Sequence, residues 1–462
     1  MRVNSRAGVP LFLLIFSAAL PVALSQTPAT QAQTESLTDE VFEIYNEHPR
    51  LFLRPQRLRL VRRERERRSQ RWQLIETFIL GKVPMPEPGL ADALFYRVTD
   101  DAEAGKRAVR WAAGATDLHQ IALVFDWCQP LLSAADSKAL VAKLEKGLAA
   151  PAADVPAMRS RTLAAIALAG HSPAAVPAIE ATVKKWWRGQ IVPAIKSGRN
   201  VISRDHSYPL FELLHAIRDN TNIDLRDPIP GFFKGLPVFH LLSYYPAVYD
   251  APEGDYRIPV AKGAGEPDLQ RAAMSRIAEL CMVSYDLNEP GSQVLQGWLM
   301  HDRFLLRGTY GVVYEFLWAN PYQPGLSYYH VPLVFHDDMF GRLFARSSWE
   351  DTATWLAYSD GEVQWFHDGR PTLIRPQLST APLALPEAIV VFGEYARKFK
   401  ITLQDEEELF VVGLEPRQAY DIEDDDEEMY EIATDPGGIV MLKLPKQAPV
   451  GVRIHKAGAG PS

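Results

Sequence analysis

The spacing of hydrophobic residues changes near residue 330. Before that point apolar residues recur every three or four positions, which predicts amphipathic helices. These helical stretches lie at 118–132, 158–168, 179–195, 210–219, 232–244, 269–287 and 301–305. Ser133, followed three residues later by Asp136, is typical of a capped start for a further helix that runs to Leu148. Paired helices with short Pro- or Gly-bearing connections suggest a toroid or solenoid of helical hairpins.

After residue 330 the apolar runs become short and rich in β-branched or aromatic residues, and Gly, Pro or Asp bounds them. They lie at 343–347, 354–358, 363–366, 389–392, 398–403, 409–414, 429–433 and 439–444. This pattern predicts an antiparallel β-sandwich, and helices followed by strands exclude alternating βαβ units. We therefore expect an α+β multidomain protein, with an incomplete (α/α) toroid at 39–330 and a short antiparallel β-sandwich at 331–456.

The first residues have the pattern of a secretory signal peptide. Arg2 and Arg6 precede an apolar run at 9–24, and small residues follow it. A membrane anchor is the alternative, but this run is shorter than the about 20 residues that a spanning helix needs. We expect cleavage after residue 25, a flexible lead-in at 26–38, and a periplasmic or secreted protein that is not attached to the membrane.

Composition narrows the class further. The chain has 462 residues, a formal net charge of −8 and 47% hydrophobic residues, which excludes wholesale disorder. The acidic balance argues against nucleic acid as a partner, because nucleic-acid binders usually carry a basic domain. Cys128 and Cys281 could pair in an oxidising compartment, but their apolar contexts favour two buried free thiols.

Three segments resemble heparinase II/III-like proteins. They are the entry His48-Pro-Arg-Leu-Phe-Leu-Arg-Pro-Gln56, the helical hairpin at 121–142, and the segment at 341–357 that begins Gly-Arg-Leu-Phe-Ala-Arg. The resemblance implies an N-terminal (α/α) toroid and a C-terminal antiparallel β-sandwich. It also implies a polysaccharide lyase that acts on an acidic polysaccharide or oligosaccharide such as heparan sulfate or alginate.

The resemblance further implies site residues. A lyase of this type needs a base that removes a proton next to a uronate carboxylate, and donors that neutralise that carboxylate. In the phrase Arg204-Asp-His-Ser-Tyr208, Tyr208 matches the tyrosine base and His206 stands beside it. Arg159 and Arg161 stand in the element where the family carries an asparagine, and either could pair with a carboxylate.

In the sandwich, His367 corresponds to a histidine of the family motif and is followed by Asp368. These two residues are fewer than the three or four protein ligands of a zinc site. No metal and no other cofactor are therefore expected at the site. A structural zinc or calcium ion stays open, because the acidic run at 421–428 could hold calcium, although a solvated hairpin tip explains it better.

Sugar rings stack on aromatic faces, so aromatic clusters could line a glycan cleft. The expected substrate-binding residues are Tyr244, Tyr245, Trp318, Tyr328, Tyr329, His330 and Arg303. Packing between the helical and sheet parts explains the group around Trp318 equally well.

Ten arginines crowd the segment Arg50–Arg71. They could form a face that binds an acidic glycan. A solvated helix laced with Glu64 and Glu66 is the favoured alternative, unless this helix lies beside a cleft.

Three functions follow from these observations. The leading hypothesis is a lyase with Tyr208 as base and with His206, Arg159, Arg161 and His367 as its charge partners. A non-catalytic glycan-binding or scaffold protein on the same fold is the second. A glycoside hydrolase using two carboxylates, such as Asp205 and Glu212, is the third.

Overall fold

The computed structural model describes residues 42–252, 254–301, 305–375, 381–393, 397–425 and 428–458. The expected signal peptide and lead-in lie outside these residues. The described chain is α+β, with helices first and antiparallel sheets in its C-terminal region. Within it, no helix is both long and apolar enough to span a bilayer.

Most of the described chain as far as residue 318 is helical. Their bounds are α1 Pro55–Glu66, α2 Gln70–Leu80, α3 Pro88–Thr99, α4 Ala102–Gly114, α5 Leu118–Trp127, α6 Ala134–Ala149, α7 Val155–Ala167, α8 Ala175–Glu180, α9 Val192–Lys196, α10 Ser207–Thr221, α11 Pro230–Leu242, α12 Leu269–Tyr285, α13 Pro290–His301 and α14 Val312–Trp318. A π-helical segment, Ala181–Ile191, joins α8 to α9. The expected helix at 301–305 is replaced by the end of α13, beyond which 302–304 lie outside the described residues.

Local chemistry sets several helix boundaries. The Ser133 side chain accepts from the backbone N–H of Asp136, whose carboxylate accepts from the Ser133 N–H in return, so the expected capped start of α6 is confirmed. Helix α10 ends where Asn222 adopts a left-handed conformation with φ of 58°. These residues fix where α6 begins and where α10 ends.

The helices pack in succession. Helix α3 packs against α5, α5 against α7, α7 against α10, α10 against α12, and α12 against α14, which also contacts α2. Most of these packed pairs have another helix between them in the sequence. The result is a row of neighbouring helices whose buried faces share one large hydrophobic core.

The strands are β1 Tyr244–Ala251, β2 Gly254–Pro259, β3 Val334–Asp337, β4 Arg342–Arg346, β5 Trp355–Ser359, β6 Glu362–His367, β7 Arg370–Ile374, β8 Leu383–Leu385, β9 Ala388–Phe392, β10 Lys398–Thr402, β11 Glu408–Val412, β12 Ala419–Asp424, β13 Glu428–Ala433, β14 Val440–Leu442 and β15 Pro449–Lys456. The hairpin β1–β2 begins at Tyr244, where the sequence predicted the end of a helix. It lies among the helices, where the helical periodicity hid it.

Three sheets follow the helices. Their strand orders are β3-β4-β5-β6-β7, β14-β11-β9-β8 and β10-β15-β12-β13. All neighbours are antiparallel except β9 and β11, which are parallel. Every residue of β9 is buried because Val390 packs towards the first sheet and Val391 towards the third.

The first sheet also contacts the helices. Phe344, Trp355 and Phe366 belong to the helical core, whereas their neighbours Leu343 and Leu356 pack into the sheet core. This alternation is the two-residue period of a strand that is covered on both faces. The division into two domains at residue 330 stays a prediction.

Candidate functional site

Two of the residues singled out from the sequence meet at one buried carboxylate. Tyr208 lies in the first turn of α10, and Glu212 follows one helical turn later, so the two side chains share a face. The Tyr208 hydroxyl donates to Glu212 Oε1, and Arg159 Nη1 of α7 donates to Glu212 Oε2 over 2.8 Å. Glu212 is fully buried, so its charge depends on these partners.

Three further side chains extend this arrangement towards solvent. His119 Nε2 lies 3.2 Å from Glu212 Oε2, and His119 Nδ1 lies 3.9 Å from Glu87 Oε1. Tyr314 is hydrogen-bonded to Glu87, whose side chain is 22% exposed. We call the set the acid–base network: Glu87, His119, Arg159, Tyr208, Glu212 and Tyr314.

The acid–base network forms where the N-terminal ends of several helices lie together. Glu87 immediately precedes α3, and the other members lie within the first two turns of α5, α7, α10 and α14. These helices pack in succession, which brings their first turns together. The positive ends of the helix dipoles favour carboxylates at such a place. No short motif encodes this meeting, so the sequence did not single out Glu87, His119 or Tyr314.

The network holds Glu212 ionised and Tyr208 protonated at neutral pH. Burial alone would raise the pKa of Glu212, but His119, Arg159 and the hydrogen bond from Tyr208 outweigh it and lower that pKa to about 2. Burial and the neighbouring Glu212 carboxylate raise the pKa of Tyr208 well above its ordinary value. Burial also raises the pKa of Glu87. The phenolate form of Tyr208 is therefore disfavoured in this arrangement.

The remaining expected catalytic residues lie apart. His206 and Arg161 are half-buried, and His367 lies in β6 with 58% of its side chain exposed, near Thr354 and Asp368. No hydrogen bond or ion pair joins these three to the network within the described residues. Asp205 is exposed and pairs with Arg271 over 2.7 Å, so it does not share a site with Glu212.

Most of the expected aromatic residues line a second place, the aromatic groove. One cavity of about 140 Å³ is lined by Tyr244, Tyr245, Tyr328 and Tyr329, together with the basic residues Arg257 and Arg346. A neighbouring cavity of about 500 Å³ shares Tyr329 and adds His330 and Trp349. The aromatic groove comprises these two cavities.

Only part of the aromatic groove is free to contact a ligand. Tyr329 is 50% exposed and stacks on Tyr328 with ring centres 4.5 Å apart. The hydroxyls of Tyr244 and Tyr245 instead donate to Glu279 and Gln364 over 2.6 and 2.7 Å. Tyr244 and Tyr245 therefore form part of the groove wall and do not present a free ring face to a ligand. Arg303 lies outside the described residues.

Trp318 belongs to a third place, the arginine cleft. This cavity of about 1030 Å³ is lined by Trp318, His215 and five arginines: Arg54, Arg57, Arg59, Arg63 and Arg218. Four of these arginines come from the segment Arg50–Arg71. The helix α1 thus lies beside a cleft, the condition under which an anion-binding face becomes the better interpretation.

The described residues contain no candidate metal cluster, and neither cysteine is in a disulfide. Across the described residues, no three His, Cys, Asp or Glu side chains are grouped so that they could hold one metal ion. Cys128 and Cys281 are both buried free thiols, and burial raises the pKa of each.

Comparisons with known proteins add little. No protein-family model matches the chain. No curated protein matches it either. One solved structure described as a glycoside hydrolase aligns over 80% of this chain and 71% of its own, with a TM-score of 0.32 and 10% sequence identity. A likeness of this size carries no argument, so the function is argued from the residues alone.

Proposed function

We propose that this protein is an exported carbohydrate-active protein that acts on an acidic, uronate-containing polysaccharide, with its reaction centre at the acid–base network. One observation carries the proposal. Tyr208 and Arg159 belong to separate sequence elements, and both contact the same carboxylate, Glu212. An acidic glycan would supply a second carboxylate for Arg159, whose side chain is 15% exposed.

The specific reaction that we propose is β-elimination. A base removes the proton from the carbon next to the uronate carboxylate, the bond from the adjoining carbon to the glycosidic oxygen breaks, and that oxygen leaves with a proton. Arg159 would stabilise the charge that develops on the uronate carboxylate. Tyr208 would first pass its hydroxyl proton to Glu212, and the resulting phenolate would take the proton from the carbon and then give it to the leaving glycosidic oxygen. The reaction requires Tyr208 to give up its bond to Glu212 and reach the substrate carbon.

The fold supports this assignment indirectly. We infer that the succession α3, α5, α7, α10, α12 and α14 is the incomplete (α/α) toroid expected from the sequence, and that the sheets after residue 330 are an elaborated sandwich. The expected signal peptide supports a periplasmic or secreted location. Resemblance to heparinase II/III-like proteins rests on the sequence segments alone.

A specific observation favours the second candidate, a non-catalytic protein that binds acidic glycans on the same fold. Tyr208 is 1% exposed, lies against the Tyr314 ring with centres 5.1 Å apart, and is held by Glu212. A base must reach its substrate, and burial keeps this phenol protonated. Binding without turnover is what this arrangement would allow if Tyr208 never leaves its place.

The experiment is to incubate the mature protein with a panel of acidic polysaccharides and follow the ultraviolet absorbance of unsaturated uronates. The lyase proposal expects such products from the wild type and a large loss with Tyr208→Phe. Tyr249→Phe is the matched control, because Tyr249 is 42% exposed and lines none of the three places. Binding without unsaturated products from folded protein establishes the second candidate, and saturated products point to a hydrolase.

A further inference from the structure

The described lining of the arginine cleft holds five arginines and two carboxylates, Asp219 and Asp286. Arg54, Arg57, Arg59 and Arg63 have no carboxylate within 4.0 Å among the residues that the structure describes. Arg57 donates to the Trp318 carbonyl over 3.3 Å, Arg54 donates to the Asp219 carbonyl, and Arg63 lies over the Tyr322 ring. Each contact positions a guanidinium without cancelling its charge.

Three arginines of the same segment that lie outside the cleft are paired with carboxylates. Arg62 pairs with Asp100 over 2.8 Å, Arg68 with Glu76 over 2.8 Å, and Arg71 with Glu315 over 2.9 Å. The four arginines of the segment that line the cavity have no such partner among the described residues. Arg50, Arg65 and Arg67, which lie outside the cavity, have none either, but Arg50 and Arg65 donate to backbone carbonyls and Arg67 lies over the Tyr322 ring. What distinguishes the cleft is therefore that several arginines surround one cavity.

The acidic residues of the cleft do not alter this balance. Asp219 is paired with Arg218 over 3.0 Å, and Asp286 is paired with Arg226 over 3.1 Å. Burial lowers the pKa of Arg57 to about 10, so Arg57 remains a cation at neutral pH. The cleft therefore presents a net positive wall that is partly shielded from water, where electrostatic attraction is stronger than on an open surface.

We propose that the arginine cleft is a binding site for an acidic oligosaccharide that bears two or more carboxylate or sulfate groups, separate from the acid–base network. Guanidinium groups bind such oxyanions through paired hydrogen bonds. The cavity has the volume of a ligand site, and its concave form suits an oligosaccharide rather than a flat membrane. The choice of a glycan rests on the proposed function, whereas the positive cleft does not.

The cleft and the network occupy opposite ends of one helix. Tyr208 lies in the first turn of α10 and Asp219 in its last, eleven residues later, which corresponds to roughly 16 Å along the axis. Trp318 lines the cleft and also contacts Tyr208, so the two places adjoin, but the arginines of the cleft and the residues of the network can be substituted separately.

The test measures binding of a fluorescently labelled oligogalacturonate and a sulfated oligosaccharide to the full mature protein by anisotropy. The double variant Arg59→Ala/Arg63→Ala should weaken binding of at least one of them by about tenfold or more. Both arginines are exposed, so the fold should tolerate their removal. The wild-type affinity should fall as salt rises, because salt screens the attraction.

The matched control is Arg68→Ala/Arg107→Ala, which removes the same charge from two arginines paired with Glu76 and Asp92 outside the cleft. Unchanged binding in this control, with loss in the cleft variant, supports the site. Equal loss in both variants, or in neither, overturns it. Duplex DNA or anionic vesicles that compete as well as the oligosaccharides would overturn the glycan assignment. Unsaturated products without cleft-dependent binding would leave the proposed function standing and reject the cleft.

Discussion

Trp318 Nε1 donates to the Tyr208 hydroxyl over 3.4 Å, while the same indole lines the arginine cleft. Tyr208 thus accepts from Trp318 and donates to Glu212, which satisfies its hydroxyl completely. The catalytic role proposed for Tyr208 depends on this relationship being broken when substrate binds.

Replacing Glu212 by Gln should destabilise the protein. The substitution keeps the side-chain shape but removes the charge that Arg159 and His119 share. We expect a loss of about 3 kcal/mol in the free energy of unfolding, because breaking a buried ion pair strands its partner. Chemical denaturation measures it. Glu415→Gln, at a pair with Lys456 that is largely exposed, should leave the unfolding midpoint unchanged. Equal effects of the two variants would contradict a buried pair.

The same carboxylate predicts a dependence of stability on pH. The folded state lowers the pKa of Glu212 from its ordinary value of 4.5 to about 2, so the folded protein binds fewer protons than the unfolded chain between these values. The stabilisation is present above pH 4.5 and is lost as the pH falls towards 2. Unfolding free energies measured from pH 6 downwards should fall more steeply for the wild type than for Glu212→Gln. Parallel curves would be inconsistent with an ionised Glu212.

Tyr329→Ala should weaken glycan binding at the aromatic groove. Tyr329 is half exposed and stacked on Tyr328, so its removal opens the groove without disturbing the core. A lost stacking contact corresponds to an affinity change of up to about tenfold. Calorimetry with neutral and acidic oligosaccharides measures it, with Tyr249→Ala as the control for an exposed tyrosine elsewhere. If both variants bind alike, the groove is packing between helices and sheet.

Gly341→Ala should cost more stability than Gly369→Ala. Both glycines have positive φ, 67° and 75°. A Cβ at Gly341 would lie 1.9 Å from the backbone nitrogen of Gly437, whereas one at Gly369 meets nothing within 4 Å. We expect about 1 kcal/mol for the strain at Gly369 and about 3 kcal/mol or more at Gly341. Thermal unfolding of the two variants compares them directly, and similar midpoints would refute the close approach.

The fold could be predicted where the signal was local. Capping by Ser133 and the apolar runs around Leu343 and Leu409 predicted α6, β4 and β11 within a few residues. The parallel pairing of β9 with β11 could not be predicted, since a run such as Ala-Ile-Val-Val-Phe records burial on two faces and not the direction of its partner. The hairpin β1–β2 was missed because helical segments surround it.

The candidate site divides in the same way. Tyr208 and Arg159 came from a sequence resemblance, and their meeting at Glu212 depends on the packing of α7 against α10. Glu87 immediately precedes α3 and His119 lies in α5, so no spacing in the sequence could have linked them. The sequence groups ten arginines in the segment Arg50–Arg71, but only the packing shows which of them pair with carboxylates.

Helix α10 carries residues of both the acid–base network and the arginine cleft. Its residues Glu212 and His215 mark the point where the network ends and the cleft begins. One extra residue inserted between them would rotate His215 and Asp219 by about 100° and shift them by about 1.5 Å, while Tyr208 and Glu212 kept their places. The number of residues between them therefore sets the distance and the rotation of the cleft residues relative to the network residues. A change in the length of this helix would alter both.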